Sequence, residues 1–341
     1  MKTRLFPFLL LACFSFSVAA QDPHFSQFFS SPLTLSPALT GKFDGTLRVA
    51  GNYRNQWPAF NNAYTTSTLS VDFPIMQKKL PEYDTWGLGF LALTDQAGGG
   101  VITNNYFGVS TAYHKALTEN GFQQLSAGFQ ATYGQKRLDF TKLVFEDQLT
   151  SNGFDLTVPS ADIATLINPN IKYVDINAGV MFSSSSNNLN TFYAGLSMYH
   201  INSPKESFTG GSWNIAPRTT VTAGGFFPVS DILTLHTSGI FQLQAKSTET
   251  TIGGALSARL NDQSADERGN GSNIYFGAWV RLKDAIIPYA GLEFKGMRFG
   301  TSYDINTSSL KSGSLSRGGM EISIIYIKQA KESRGIPCPK F

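Results

Sequence analysis

From Gln123 to Tyr133 every second position of this chain is apolar. Leu125, Ala127, Phe129, Ala131 and Tyr133 share one face, and Gln124, Ser126, Gly128, Gln130 and Thr132 share the other. Side chains of a strand alternate between its two faces, so the stretch reads as a strand with one greasy side. Val174, Ile176, Ala178, Val180 and Phe182 repeat the pattern against Asp175, Asn177 and Gly179; Ile252, Leu256, Ala258 and Leu260 repeat it against Thr251, Ser257 and Arg259. Ile274, Phe276, Ala278 and Val280 do so against Asn273, Gly277 and Arg281. On this basis about fourteen strands are expected, near 46–54, 63–73, 86–94, 104–116, 122–135, 172–182, 190–201, 218–227, 232–244, 249–260, 272–283, 286–295, 297–305 and 318–328. Turn-rich pieces separate them, and the longest piece without alternation, Lys136 to Lys172, reads as a surface loop or lid.

A soluble sandwich alternates too, so the period alone does not choose a class. Strand length does: a membrane-spanning strand needs about 9–11 residues, and many of these segments reach that. Charge agrees. Only 15% of residues are Asp, Glu, Lys or Arg, against about 25% in an average soluble domain. Aromatics are plentiful, with 27 Phe, 13 Tyr and 4 Trp, and they gather near strand ends. The chain opens with Lys2 and Arg4, an apolar run Leu5–Ala12 and the small residues Val18-Ala19-Ala20, the form of a cleaved export signal. A lipoprotein box at Leu10-Leu11-Ala12-Cys13 is the rival reading, but it sets Phe14, Phe16 and Val18 where a polar tether is usual. Beyond residue 20 no stretch approaches a spanning helix. Export, few charges and alternating strands imply an all-β, antiparallel transmembrane barrel in the bacterial outer membrane. The expected organisation is a signal peptide at 1–20, an N-terminal arm at 21–45, the barrel at 46–328 and a tail at 329–341.

Composition and motifs narrow the chemistry by exclusion. The near-neutral charge gives no case for nucleic acid. Cys338 is alone once Cys13 leaves with the signal, so no internal disulfide is expected. His24, His114, His200 and His236 are far apart in sequence, whereas a metal site needs clustered ligands. No G-x-S-x-G or H-E-x-x-H occurs, and Gly98-Gly99-Gly100 follows no βαβ pattern. No enzyme activity, metal or cofactor is expected. The arm carries Phe25, Phe28, Phe29, Leu33 and Leu35 outside any strand. So greasy a patch is not left in water, which makes Phe25, Phe28, Phe29 and Pro37 candidates for docking a partner or plugging the lumen. With an even strand count and entry from the periplasm, this arm and the tail are expected on the periplasmic side.

Three passages carry a resemblance. Gln21-Asp22-Pro23-His24-Phe25-Ser26-Gln27-Phe28 is followed by Ser36-Pro37-Ala38-Leu39-Thr40-Gly41; Tyr53-Arg54-Asn55-Gln56-Trp57 closes the first strand. Phe299-Gly300-Thr301-Ser302-Tyr303-Asp304 and Gly319-Met320-Glu321-Ile322-Ser323 stand near the end. In this order they resemble the PorP/SprF family of type IX secretion outer-membrane proteins, although Ser36 stands where that family usually has Asn. The resemblance implies a part in exporting cargo with a C-terminal sorting domain, sometimes for gliding adhesins. It implies periplasmic and outer-membrane secretion proteins as partners, and docking or anchoring in place of conduction. Tyr53, Arg54, Gln56, Trp57, Tyr303, Asp304 and Glu321 then become family-signature positions with a structural role. Tyr53 and Trp57 suit a membrane-interface belt, Arg54 and Gln56 a strand end held by hydrogen bonds, and Asp304 a turn cap. The alternative is a passive porin or a transporter of hydrophobic solutes.

Overall fold

A strand whose apolar row faces outward and whose polar row faces inward closes with its like into a barrel around a polar lumen. The computed structural model of the chain describes residues 22–60, 63–186, 190–260 and 271–329. The leader, most of the acidic link after Leu260 and most of the tail lie outside the described residues. The strands are β1 (Leu47–Gln56), β2 (Tyr64–Ile75), β3 (Thr85–Ala97), β4 (Ile102–Ala116), β5 (Gln123–Leu138), β6 (Asn170–Ser186) and β7 (Asn190–Tyr199). They continue as β8 (Arg218–Pro228), β9 (Leu233–Gln244), β10 (Ser247–Arg259), β11 (Asn273–Arg281), β12 (Ala285–Phe294), β13 (Met297–Asn306) and β14 (Arg317–Lys328). Each pairs antiparallel with its sequence neighbour, and β1 closes the barrel on β14 with Leu47 opposite Lys328 and Gln56 opposite Gly319. All fourteen segments read from the alternation are present, several of them longer at one end.

Burial runs opposite to a soluble protein. Phe129 is 63% exposed and its neighbour Gln130 only 2%. Leu69, Phe107, Val174, Ile252, Phe276 and Ile324 also face out, while Ser126, Asp175, Asn177, Thr251 and Ser323 face in. The outward apolar row is the lipid surface. Tyr53, Tyr133 and Tyr303 stand in it near one rim, Tyr113 and Tyr326 near the other, as aromatic girdles do.

The two mouths differ. Links after odd-numbered strands include 139–169 and 200–217; most links after even-numbered strands are short. Outer-membrane barrels keep long links outside and short ones in the periplasm, so the odd-link mouth is the outer one. Link 139–169 carries short turns and a small hairpin pairing Leu149 with Phe154, and Asn168 N donates to Phe208 O of 200–217 at 2.9 Å. The expected surface loop is there, shorter than foreseen because β5 and β6 run further.

Candidate functional site: an arm threaded through the lumen

A barrel of eight strands is filled by its own side chains, and one of sixteen to eighteen leaves a water channel. Fourteen strands leave a space that needs a filler. Residues 22–46 fill it. They were expected on the periplasmic side with the tail; instead Asp22 sits at the outer mouth and the segment descends the whole lumen before β1 begins. The difference has a clear cause, because polar partners for the segment lie at every level of the inward rows.

At the outer mouth Asp22 lies 2.7 Å from His200 Nε2 and 3.3 Å from Arg218 Nη1, and its backbone N–H donates to Gln244 Oε1 at 2.9 Å. His200 follows the end of β7, Arg218 opens β8 and Gln244 closes β9. Asp175 contacts the other face of His200, Oδ1 to Nδ1 at 3.0 Å. Burial alone works against the charge on His200, but its bonds to Asp175 and Asp22 win and push it up to about 9. Burial likewise opposes the charge on Asp22, yet Arg218 and His200 hold it well below the usual carboxylate range. These groups form a charged latch. Two residues on, His24 Nε2 lies 3.3 Å from Glu249 Oε2.

The next residues meet the signature positions. Glu321 lies opposite Arg54 on β1 and opposite Ser302 on β13. Its two oxygens accept the backbone N–H groups of Ser26 at 2.8 Å and Gln27 at 3.0 Å. Asp304 accepts from Arg54 Nη2 and Arg281 Nη1, each at 3.0 Å, and from the Ser26 hydroxyl at 2.7 Å. Arg54 Nη1 also donates to the His24 carbonyl, and Arg281 Nη2 to Ser26 Oγ at 2.7 Å. Gln27 donates to Ser302 and to the Glu321 carbonyl, and accepts from Ser323. Passages more than 200 residues apart in sequence thus converge on one buried network that grips the arm. Asp304 is therefore not the turn cap expected of it. Its side chain points into the lumen, where two guanidinium groups outcompete a turn amide. Tyr53 and Tyr303 stand in the outward row. Trp57 lies at the outer rim with its ring 5.7 Å from that of Tyr64, and its backbone N–H donates to Gly318 O at 2.8 Å.

Further in, the arm turns apolar. Phe25 and Phe28 are buried, and Phe29 stacks on Trp279 with ring centroids 4.6 Å apart. Phe28, Leu35 and Leu39 pack with Met181, Ile240 and Ile287 in a hydrophobic core inside the barrel. The short helix Pro32–Leu35 would leave its carbonyls unpaired. Tyr199 OH donates to Leu33 O at 2.9 Å, Ser197 Oγ to Leu35 O at 2.8 Å and Arg218 Nη2 to Thr34 O at 3.3 Å. Pro37 lies buried against Gly128, where an added Cβ would come within 2.4 Å of the Pro37 carbonyl carbon. Gly87 approaches as closely, its absent Cβ 2.2 Å from Thr40 O.

At the inner mouth His114 Nε2 faces the Thr40 carbonyl at 2.8 Å, which only accepts, so this nitrogen donates and Nδ1 takes the Ser126 hydroxyl at 2.7 Å. Arg48 Nε and Nη2 clasp Asp72 at 2.9 and 2.7 Å, Nη2 reaches Leu39 O, and Asp72 also accepts Gly41 N at 2.7 Å. Lys42 Nζ donates to Gln124. Arg281, Glu249, Arg218, Arg48 and Asp72 were not singled out from sequence. Each occupies an inward polar position of ordinary type, and alternation marks the row without marking the partner. Among the described residues no group of His, Cys, Asp and Glu is arranged to hold a metal ion.

A closed fourteen-strand barrel with a lipid-facing apolar row, its lumen occupied by the chain's own N-terminal segment, is an outer-membrane protein. The sequence pattern of the type IX secretion system membrane protein family PorP/SprF matches residues 17–326. The chain belongs to that family. Comparison with curated proteins gives no match. Among solved structures it is similar to a Pseudomonas aeruginosa FadL homologue, at 10% identity over 87% of this chain and 94% of that one, with a TM-score of 0.46. It is also similar to the NanC porin, at 12% identity over 83% and 99% with a TM-score of 0.41. The KdgM porin in complex with oligogalacturonate gives 8% identity over 82% and 98%, with a TM-score of 0.39.

Proposed function

We propose that this protein is a non-enzymatic docking or anchoring component of type IX secretion, working through its two mouths and not by conduction. The observation that carries the reading is the arm bonded along the full height of the lumen. A barrel so filled offers surfaces, and even an open barrel of this size would not pass a folded protein. Phe25, Phe28, Phe29 and Pro37 then serve as plug residues, and for any of them to touch a partner the arm would have to leave. Cargo with a C-terminal sorting domain is the proposed ligand outside, with secretion-machinery proteins at the periplasmic face. The outer links support this, since Leu149, Phe154, Leu156, Ile167 and Trp213 stand exposed there, and an apolar surface in water marks a protein contact. The test is the extracellular proteome of a deletion strain beside its complemented parent. Sorted cargo should disappear from the medium and cell surface; undiminished export would sink the proposal.

A further inference from the structure

The arm divides the lumen unevenly. At the inner mouth its contacts are with β1 to β5, through Arg48, Asp72, Gly87, His114 and Gln124. The opposite half, under β7 to β13, holds a small, partly open cavity to which each of these strands contributes wall. Much of its wall lies near the inner ends of the strands, with Phe226 close to the end of β8, His236 and Tyr275 close to the starts of β9 and β11, and Arg298 at the start of β13, while Trp279 stands nearer the outer end of β11. Phe29 of the arm is part of the wall on the outer side.

Rings line it in two chains. Tyr193 neighbours Phe226 at 6.1 Å, Phe226 meets His236 edge-on at 4.9 Å, and His236 meets Tyr275 at 5.4 Å. On the other wall Phe29 stacks on Trp279, which meets Tyr289 edge-on at 5.7 Å. Several polar tips are already satisfied. Trp279 Nε1 donates to Ser238 at 3.0 Å, Tyr275 OH to Glu293 at 2.6 Å, and His236 Nε2 lies 2.9 Å from Ser257 Oγ. The rings are therefore held in place and ask little hydrogen bonding of an occupant. Water gains little in such a space, whereas apolar cavities of comparable character take up aromatic rings. One charge selects further. The Arg298 guanidinium lies 4.8 Å over the Tyr275 ring and donates to Glu293 through Nε and Nη2. A cation beside the cavity disfavours a cationic guest and favours the π-face of an electron-rich neutral one.

We propose that this cavity is a binding site for a small, neutral, electron-rich aromatic solute of one or two fused rings, entering from the periplasmic mouth. The arm closes the far side, so the solute binds and leaves by the same mouth without crossing the barrel.

The test is titration of the full barrel in detergent with 5-fluoroindole, followed by 19F NMR. Saturable binding is expected in the parent and in Leu243→Ala, which alters only the lipid face, and at least tenfold weaker binding in Ala255→Leu, which fills the cavity. Binding that does not saturate, or is equal in all three, overturns the proposal. Choline should not compete, and competition by it removes the role given to Arg298 and with it the neutral class. N-acetyltryptophanamide should bind more weakly than indole; tighter binding overturns the free-solute reading in favour of a ring carried on a polypeptide. Should Ala255→Leu not fold, crystals of the parent soaked in 5-bromoindole decide the matter. Bromine density between Trp279 and Tyr275 is the expected result, and density only among the lipid-facing side chains is the overturning one.

Discussion

Asp304 is 3% exposed and balances both Arg54 and Arg281. Removing one partner of a buried pair costs about 3–5 kcal/mol, because the charges left behind lose their compensation. Asp304→Asn is therefore expected to lower clearly the temperature at which the folded form converts on heated gels; an unchanged transition would contradict the buried network. The latch at Asp22 has a pH window. His200 is raised above its unfolded value of about 6.5 to about 9, so its contribution is complete below the unfolded value and fades as pH rises through about 9. Asp22 is lowered from 3.8, so its contribution is complete above that and fades only in strong acid. The latch is firmest between about pH 4 and 6.5 and loosens in alkali. A nitroxide placed at position 23 should be immobile at pH 6 and mobile at pH 10, and mobile at both in His200→Gln. Equal mobility across this range in the parent would rule the latch out. Arg54, Asp304 and Glu321 drew notice through the motifs that hold them. That the three meet on Ser26 and Gln27 was hidden, because the contacts cross β1, β14 and β13 and no local pattern reports them.

The strands were the most legible elements, since a period of two sustained across a membrane's thickness is the mark of a strand with one lipid face. Their ends were less so. β6 runs on through Ser183-Ser184-Ser185-Ser186, a serine run that signals a turn but pairs with the start of β5 and with β7. The arm was legible as apolar residues in need of cover, and its place was not. Its seat depends on the bare face of Gly128, so Gly128→Val should displace Pro37 while leaving the β5 ladder paired. Limited proteolysis is expected to cut within residues 22–44 of that variant and not of the parent, with heat-modifiable migration retained in both. Protection of the arm in Gly128→Val would mean that the close approach is not what seats it. Replacing Phe25, Phe28 and Phe29 together by Ser should loosen the arm in the same assay, because a buried phenyl ring such as that of Phe25 or Phe28 contributes about 1.5–3 kcal/mol.

For the whole molecule the consequence is a blocked pore, with Asp22 and the end of the last strand at Lys328 lying at opposite mouths. In planar bilayers the parent should show no steady conductance, while deletion of residues 22–44 should give porin-like steps; steady steps in the parent would favour a passive channel. An epitope inserted just before Asp22 should be reached by antibody on intact cells, and one placed after Lys328 only after permeabilisation. The reverse pattern would invert the barrel, and access to neither would place the segment before Asp22 inside the lumen. Such a topology requires that the barrel close around its arm, since the lumen bonds to residues 22–42 are made on all sides.

The strand count, the outward face and the membrane setting follow from the sequence alone. Each is a local matter: a side chain's parity fixes its face, and a low charge count fixes what that face meets. The path of the arm, the network that binds it and the aromatic cavity beside it were decided only in the folded barrel. Closing fourteen strands brings inward rows from distant parts of the chain within hydrogen-bond reach, and an alternating pattern reads the same whether its lumen is filled with water or with the chain's own first residues.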